Sequence, residues 1–192
     1  MRLFVGIELP ENIKEEIEGI EKELKKKVKE ARVVKKENLH ITLKFLGEVK
    51  EEEVGKIDEK LKEVSESFTP FSVSVGKIGN FPEGKKMRVL WVGIESNGIL
   101  NKMNSKIEKI LSTIGFKEEN RFKEHITIAR FKSTPDMKFI EHLKEKYGSF
   151  FGEFRIEGFS LIKSNLTPEG PIYKNLKEYK LGGDNNGKGE ST

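Results

Sequence analysis

Residues 40–48 read HITLKFLGE and residues 125–131 read HITIARF. Both open on histidine, isoleucine, threonine and an aliphatic residue, at an offset of 85. Working outward, LFVGIE at 3–8 returns as LWVGIE at 90–95, an offset of 87. FSVSVGKIGNF at 71–81 has a counterpart in FRIEGFSLIKS at 154–164, an offset of 83. Three matches in the same order at nearly one offset make the chain two copies of one unit, about 85 residues each. The units span roughly residues 1–86 and 87–181, and residues 182–192, which carry no apolar side chain, are expected to be a disordered tail.

Each unit carries the same alternation of elements. Ile13, Ile17, Ile20, Leu24 and Val28 recur at helical spacing after the first repeated strand, as do Leu100, Met103, Ile107, Ile110, Leu111 and Ile114 after its copy. Val54, Ile57, Leu61, Val64 and Phe68 predict a second helix. Its counterpart is expected over residues 135–147, capped by Ser133 and Thr134 with Pro135 in the first turn. Strand, helix, strand, helix, strand, given twice, predicts two similar lobes about a pseudo-twofold axis. Equivalent positions would then face each other across a groove.

Composition bounds the function without naming it. The 192 residues are 35% hydrophobic, with 13 Phe, enough for a core and too much for a wholly disordered chain. No apolar run approaches the roughly 20 residues a spanning helix needs, and the first residues lack a secretory signal. A soluble cytoplasmic protein that engages no membrane is expected. With no Cys, thiolate nucleophiles and Cys-based zinc sites are excluded. Abundant Lys and Glu with no Gln is the composition of hyperthermophile proteins. The net charge of +4 permits an anionic partner without demanding one.

The chain has three histidines, and two occupy equivalent positions of the repeat. In a strand, residues i and i+2 share a face, so His40 stands with Thr42 and His125 with Thr127, while Ile41, Leu43, Ile126 and Ile128 face the core. A pseudo-twofold axis would bring two imidazoles and two hydroxyls to one site. One neutral imidazole could deprotonate water while the other, protonated, supplies the departing alkoxide of a phosphate diester. Hydroxyls would hold the non-bridging oxygens, and no metal is needed. His142 has no counterpart in the repeat and is expected on the surface.

These paired motifs resemble those of the 2H phosphoesterase superfamily. The opening RLFVGIELP and the closing GPIYKNL at 170–176 are similar to its bacterial and archaeal RNA 2′,3′-cyclic phosphodiesterase branch, first described as 2′-5′ RNA ligases. The resemblance covers about residues 1–180. It implies an α+β bilobal fold of two antiparallel sheets facing a central cleft, with helices outside. It also implies hydrolysis of RNA 2′,3′-cyclic phosphate ends to 2′-phosphates without a cofactor or metal. The partner would be such an RNA, tRNA fragments included, and the enzyme would act as a monomer. By resemblance His40 is the proton donor and His125 the acceptor; the residues themselves leave that assignment open.

The motifs differ five residues after the histidine, where Phe45 stands in one and Arg130 in the other. Strict alternation directs Arg130 away from His125 unless a bulge or the strand end turns it, whereas the family uses an Arg here to contact phosphate. Phe45 and Trp91 are expected in the core. Ser164 and Tyr173, in the family-like C-terminal segment, are expected to border the cleft. Basic runs at 25–27 and 85–88 could attract RNA backbone; a solvated surface is the default reading for the first, and the second is better placed, directly before the repeated strand. Three alternatives stay open: a small cyclic nucleotide or a 2′-5′ linkage as substrate, a non-catalytic RNA- or nucleotide-binding module, and a metal hydrolase using both histidines with carboxylates.

Overall fold

The computed structural model describes residues 1–84 and 86–182; Lys85 of the second basic run and residues 183–192 of the expected tail lie outside them. Along the chain run β1 (Arg2–Glu8), α1 (Glu11–Lys27), the short β2 (Arg32–Val33), β3 (His40–Glu48), α2 (Val54–Glu66), β4 (Phe71–Phe81), β5 (Val89–Glu95), α3 (Ile99–Ser112), β6 (His125–Arg130), α4 (Met137–Lys146), β7 (Phe150–Ile156), β8 (Gly158–Thr167) and β9 (Gly170–Lys180). They form two antiparallel sheets, ordered β3-β1-β8-β9 and β2-β6-β5-β4-β7. Among the described residues no helix is long and apolar enough to cross a membrane.

The sheets carry the repeat, with an exchange that periodicity does not reveal. β1 lies between β3 and β8, and its copy β5 lies between β6 and β4. The third strand of each unit therefore joins the sheet begun by the other unit. Register agrees with the sequence offset: Leu3 faces Lys163 and Leu90 faces Asn80, and those two partners are 83 residues apart. Neither sheet can form from one unit alone.

The helices cross over in the same way. α1 packs behind β6 of the second sheet, and its Glu23 accepts hydrogen bonds from Lys146 and Tyr147 at the end of α4. α3 packs behind β3 of the first sheet, where Asn104 Nδ2 donates to the Leu43 carbonyl at 2.8 Å. α2 packs beside α3 against β8 and β9, and α4 packs against β4. The inward faces of α1 and α3 match at an interval of 87: Ile13 and Leu100, Ile17 and Asn104, Ile20 and Ile107, Glu21 and Glu108, Leu24 and Leu111 are all buried. Each such aliphatic side chain contributes about 1.5–3 kcal/mol on burial.

Two expectations about α4 need adjusting. The helix starts at Met137, and its cap is Asp136, whose carboxylate accepts from the Lys138 backbone N–H at 3.0 Å. A carboxylate at that position satisfies an orphan donor and meets the positive helix end. Thr134 instead accepts from Arg88 Nη1, tying the loop to the residue just before β5. His142 is exposed on α4, as expected.

Candidate active site

Both motif histidines are held in one way. His40 Nδ1 lies 2.6 Å from the Asn38 carbonyl, and His125 Nδ1 lies 2.7 Å from the Lys123 carbonyl, in each case two residues upstream. A carbonyl only accepts, so Nδ1 carries the proton in both rings and Nε2 carries the lone pair when the ring is neutral. His40 Nε2 lies 2.7 Å from Thr42 Oγ1, from which it accepts in the neutral state. Among the described residues His125 Nε2 and the Thr127 hydroxyl have no hydrogen-bond partner. Asn38 is itself fixed, its buried side chain donating to the Pro171 carbonyl of the β8–β9 hairpin at 2.9 Å.

Aromatic rings fix the imidazole planes. His40 packs on Phe4 at 4.8 Å between centroids and meets Tyr173 edge-on at 5.2 Å. His125 meets Phe81 edge-on at 5.1 Å and Trp91 at 6.4 Å. Phe4 and Trp91 are the same position of the repeat, so each sheet lays an aromatic beside its histidine. The glycine two residues on, Gly6, leaves room for this: a Cβ there would lie 3.2 Å from the Phe4 ring and 3.4 Å from the His40 ring. Gly79 does the same opposite Trp91, whose indole lies 2.1 Å from where a Cβ would be.

A β-bulge decides where the fifth residue of each motif points. In β3, Thr42 pairs with Gly6 and Lys44 with Val5, so Leu43 is left without a partner. In β6, Thr127 pairs with Trp91 and Ala129 with Leu90, so Ile128 is left over. Leu43 and Lys44 are then buried in succession, as are Ile128 and Ala129. After the extra residue, alternation resumes one step out of phase. Arg130 returns to the face of His125 and Thr127, correcting the expectation from strict alternation. Phe45 returns to the face of His40 and Thr42, where it is 67% exposed and 6.1 Å from Phe4. It is not a core residue. Trp91 too is only partly buried and belongs to the wall beside His125, with its Nε1 buried and unpartnered among the described residues.

Burial and neighbouring charges set the electrostatics of the two imidazoles. Burial lowers the pKa of both imidazoles below the ordinary 6.5. The positive charges of His125, Arg130 and Lys14 lower His40 further, and those of Arg130 and Lys123 lower His125, while the Asn38 and Lys123 carbonyls oppose the shift. Burial raises the Tyr173 hydroxyl, with Arg130 and Arg2 working against it. Arg130 thus acts on His40, His125 and Tyr173 together. Ser164 is half-buried, opposite Tyr173 on β9 and Arg2 on β1. The lysines at 25–27 are exposed, and Lys25 is engaged locally with the Lys29 and Ala31 carbonyls. Sequence reasoning missed Asn38, Phe4 and Phe81: Asn38 lies outside the repeated motifs, and the two phenylalanines read as ordinary strand residues.

A profile of the family described as LigT like Phosphoesterase matches the chain twice, over residues 7–91 and 92–173. The RNA 2′,3′-cyclic phosphodiesterase of Methanocaldococcus jannaschii is 43% identical over 183 residues, covering 93% of this chain and 100% of its own. The enzyme of the same name from Archaeoglobus fulgidus is 40% identical over 182 residues, covering 94% and 100%. A crystal structure of a Thermus thermophilus protein superposes with a TM-score of 0.80 at 27% identity, over 96% of this chain and 100% of that one. The fold also matches E. coli LigT complexed with 3′-AMP, with a TM-score of 0.74 at 24% identity over 94% and 97%.

Proposed function

Because the chain belongs to the LigT-like phosphoesterase family, we propose that it is a cyclic phosphodiesterase that opens the 2′,3′-cyclic phosphate at RNA ends and leaves a 2′-phosphate. The observation that carries this reading is the matched fixing of His40 and His125. Each ring is committed through Nδ1 to a carbonyl, so each offers Nε2 for proton transfer, with Arg130 acting on both.

In the proposed reaction water enters on the His125 side and His125 Nε2 takes its proton as the oxygen bonds to phosphorus. The bond from phosphorus to O3′ breaks on the opposite side, and protonated His40 gives its Nε2 proton to that oxygen. Thr42, Thr127 and the Arg130 guanidinium hold the non-bridging oxygens as charge accumulates there. Tyr173 and Ser164 border the nucleoside on the His40 side. An RNA 5′-hydroxyl in place of water gives a 2′-5′ linkage by the same steps. No step requires a metal, so turnover should be undiminished by a strong chelator.

The test is turnover of an oligonucleotide ending in a 2′,3′-cyclic phosphate by His40→Ala and His125→Ala. Each variant should lose about 10²–10⁴ in rate, the usual contribution of a positioned acid or base. Turnover like that of the unsubstituted protein by either variant would sink the mechanism.

A further inference from the structure

Behind the bulge of β3 lies a buried ion pair that the proposed chemistry leaves unused. Lys44 Nζ and Glu108 Oε2 are 2.5 Å apart, with side chains only 3% and 6% exposed. The pair grips more than itself: Lys44 Nζ donates to the Lys117 carbonyl at 3.0 Å, and Glu108 Oε2 accepts from the Glu119 backbone N–H at 3.0 Å. Residues 117–124 have no regular secondary structure and lead directly into His125. At their far end Glu124 is held by Ser96 Oγ, and its carbonyl accepts from Ile94 N–H at 3.2 Å. Between these anchors sits the Lys123 carbonyl that accepts the hydrogen bond from His125 Nδ1–H.

The other half of the molecule solves the same problem differently. The connection into His40 contains β2, whose Arg32 and Val33 pair with Arg130 and Ala129 of β6. The position of Lys44 is taken there by Ala129, and that of Glu108 by Glu21. Glu21 has no ion pair among the described residues, and its Oε1 is buried without a partner. Where a strand supports the connection the ion pair is absent, and where the connection is irregular the pair is present. A buried pair is poor evidence of stabilisation, because desolvation offsets its attraction, so its presence here calls for a reason in specificity.

We propose that Lys44 and Glu108 are positioning residues for His125: the pair fixes residues 117–124, and through the Lys123 carbonyl it sets the orientation and tautomer of the ring. The assignment rests on the reading of His125 as a catalytic group. It also makes the first motif's strand a structural support for the second motif's histidine.

The test replaces the pair by apolar residues of similar size, Lys44→Met with Glu108→Leu, a kind of exchange that folds often tolerate. Lys44→Met alone is the second variant; it leaves Glu108 as Glu21 already is, a buried carboxyl without a cation. In protein labelled with ¹⁵N-histidine at about pH 8, where imidazoles are neutral, the ring nitrogens report the tautomer. His125 should lose its uniform Nδ1–H signature while His40 keeps its own. The kcat should fall about tenfold or more with KM within about twofold, because a misoriented base weakens the transition state and leaves binding intact. Retention of the Nδ1–H signature by His125 in both variants would overturn the proposal, and so would an equal change at His40, which would report general loosening. Lack of turnover by the unsubstituted protein would count against the hydrolase reading alone, since the ring signature is read without substrate.

Discussion

Arg130 lies on the same face of β6 as His125, although they are five residues apart, because Ile128 is bulged out of register with β5. The guanidinium is exposed and its charge reaches both imidazoles. Arg130→Gln should fold normally yet lose about 10²–10³ in kcat/KM, the cost of one preorganised donor to a developing oxyanion. Arg130→Lys should recover only part of this, since an ammonium cannot make the two-pronged contact. Steady-state kinetics on a cyclic-phosphate oligonucleotide decide it, and a loss below about threefold for Arg130→Gln would remove the residue from the site.

The lowered histidine pKa values set the pH dependence. In the free enzyme the acid must be protonated and the base neutral, so the alkaline limb of kcat/KM follows the acid, whose pKa lies below 6.5 through burial and neighbouring cations. The kcat/KM profile should therefore peak on the acid side of 6.5 and already be falling at neutrality. A bound phosphate diester is an anion and favours the imidazolium, so the alkaline limb of kcat should sit at higher pH than that of kcat/KM. Arg130→Gln removes a cation that depresses both rings and should move the whole profile upward. A flat kcat/KM from about pH 7 to pH 9 would contradict this account.

Phe45 is the pseudo-symmetric counterpart of Arg130, and it presents an exposed ring beside Phe4, which in turn meets Tyr173 edge-on. Such a ring can stack on a base of the substrate. Phe45→Ala should leave the unfolding midpoint nearly unchanged, since little buried area is lost. It should raise KM for a nucleotide substrate about tenfold, in line with base stacking worth about 1–3 kcal/mol. A melting point several degrees lower with KM unchanged would instead make Phe45 a packing residue.

The duplication was legible because strands keep their spacing: the offsets of 87, 85 and 83 are those that place β5 on β1, β6 on β3 and β8 on β4. The partner of each third strand was not legible. β4 presents the same alternation whether it pairs within its own unit or with β5, and only the assembled sheets distinguish these. The candidate histidines and threonines could be read from period-two alternation, and the direction of Arg130 could not. The bulges leave one weak trace, a lysine at position 44 where the pattern resumes its inward face. Its partner Glu108 is 64 residues away, beyond any local signal.

Glu21 gives the sharpest stability prediction. Its carboxyl is 5% exposed, and burial, reinforced by the charge of Glu18, raises its pKa from 4.5 to about 8. Between those values the folded state holds a proton that the unfolded chain has released. Stability should therefore fall as pH rises from about 4.5 to about 8 and level off above. The loss is on the order of 3–5 kcal/mol if no other group compensates. Glu21→Gln keeps the size and removes the titration, so it should be close to neutral at about pH 5 and distinctly stabilising at about pH 9. Guanidinium unfolding of both proteins across that range is the measurement. Parallel pH dependences for the unsubstituted protein and the Glu21→Gln variant would show that this carboxyl ionises freely in the native state, and with it would go the contrast between the paired Glu108 and its unpaired twin.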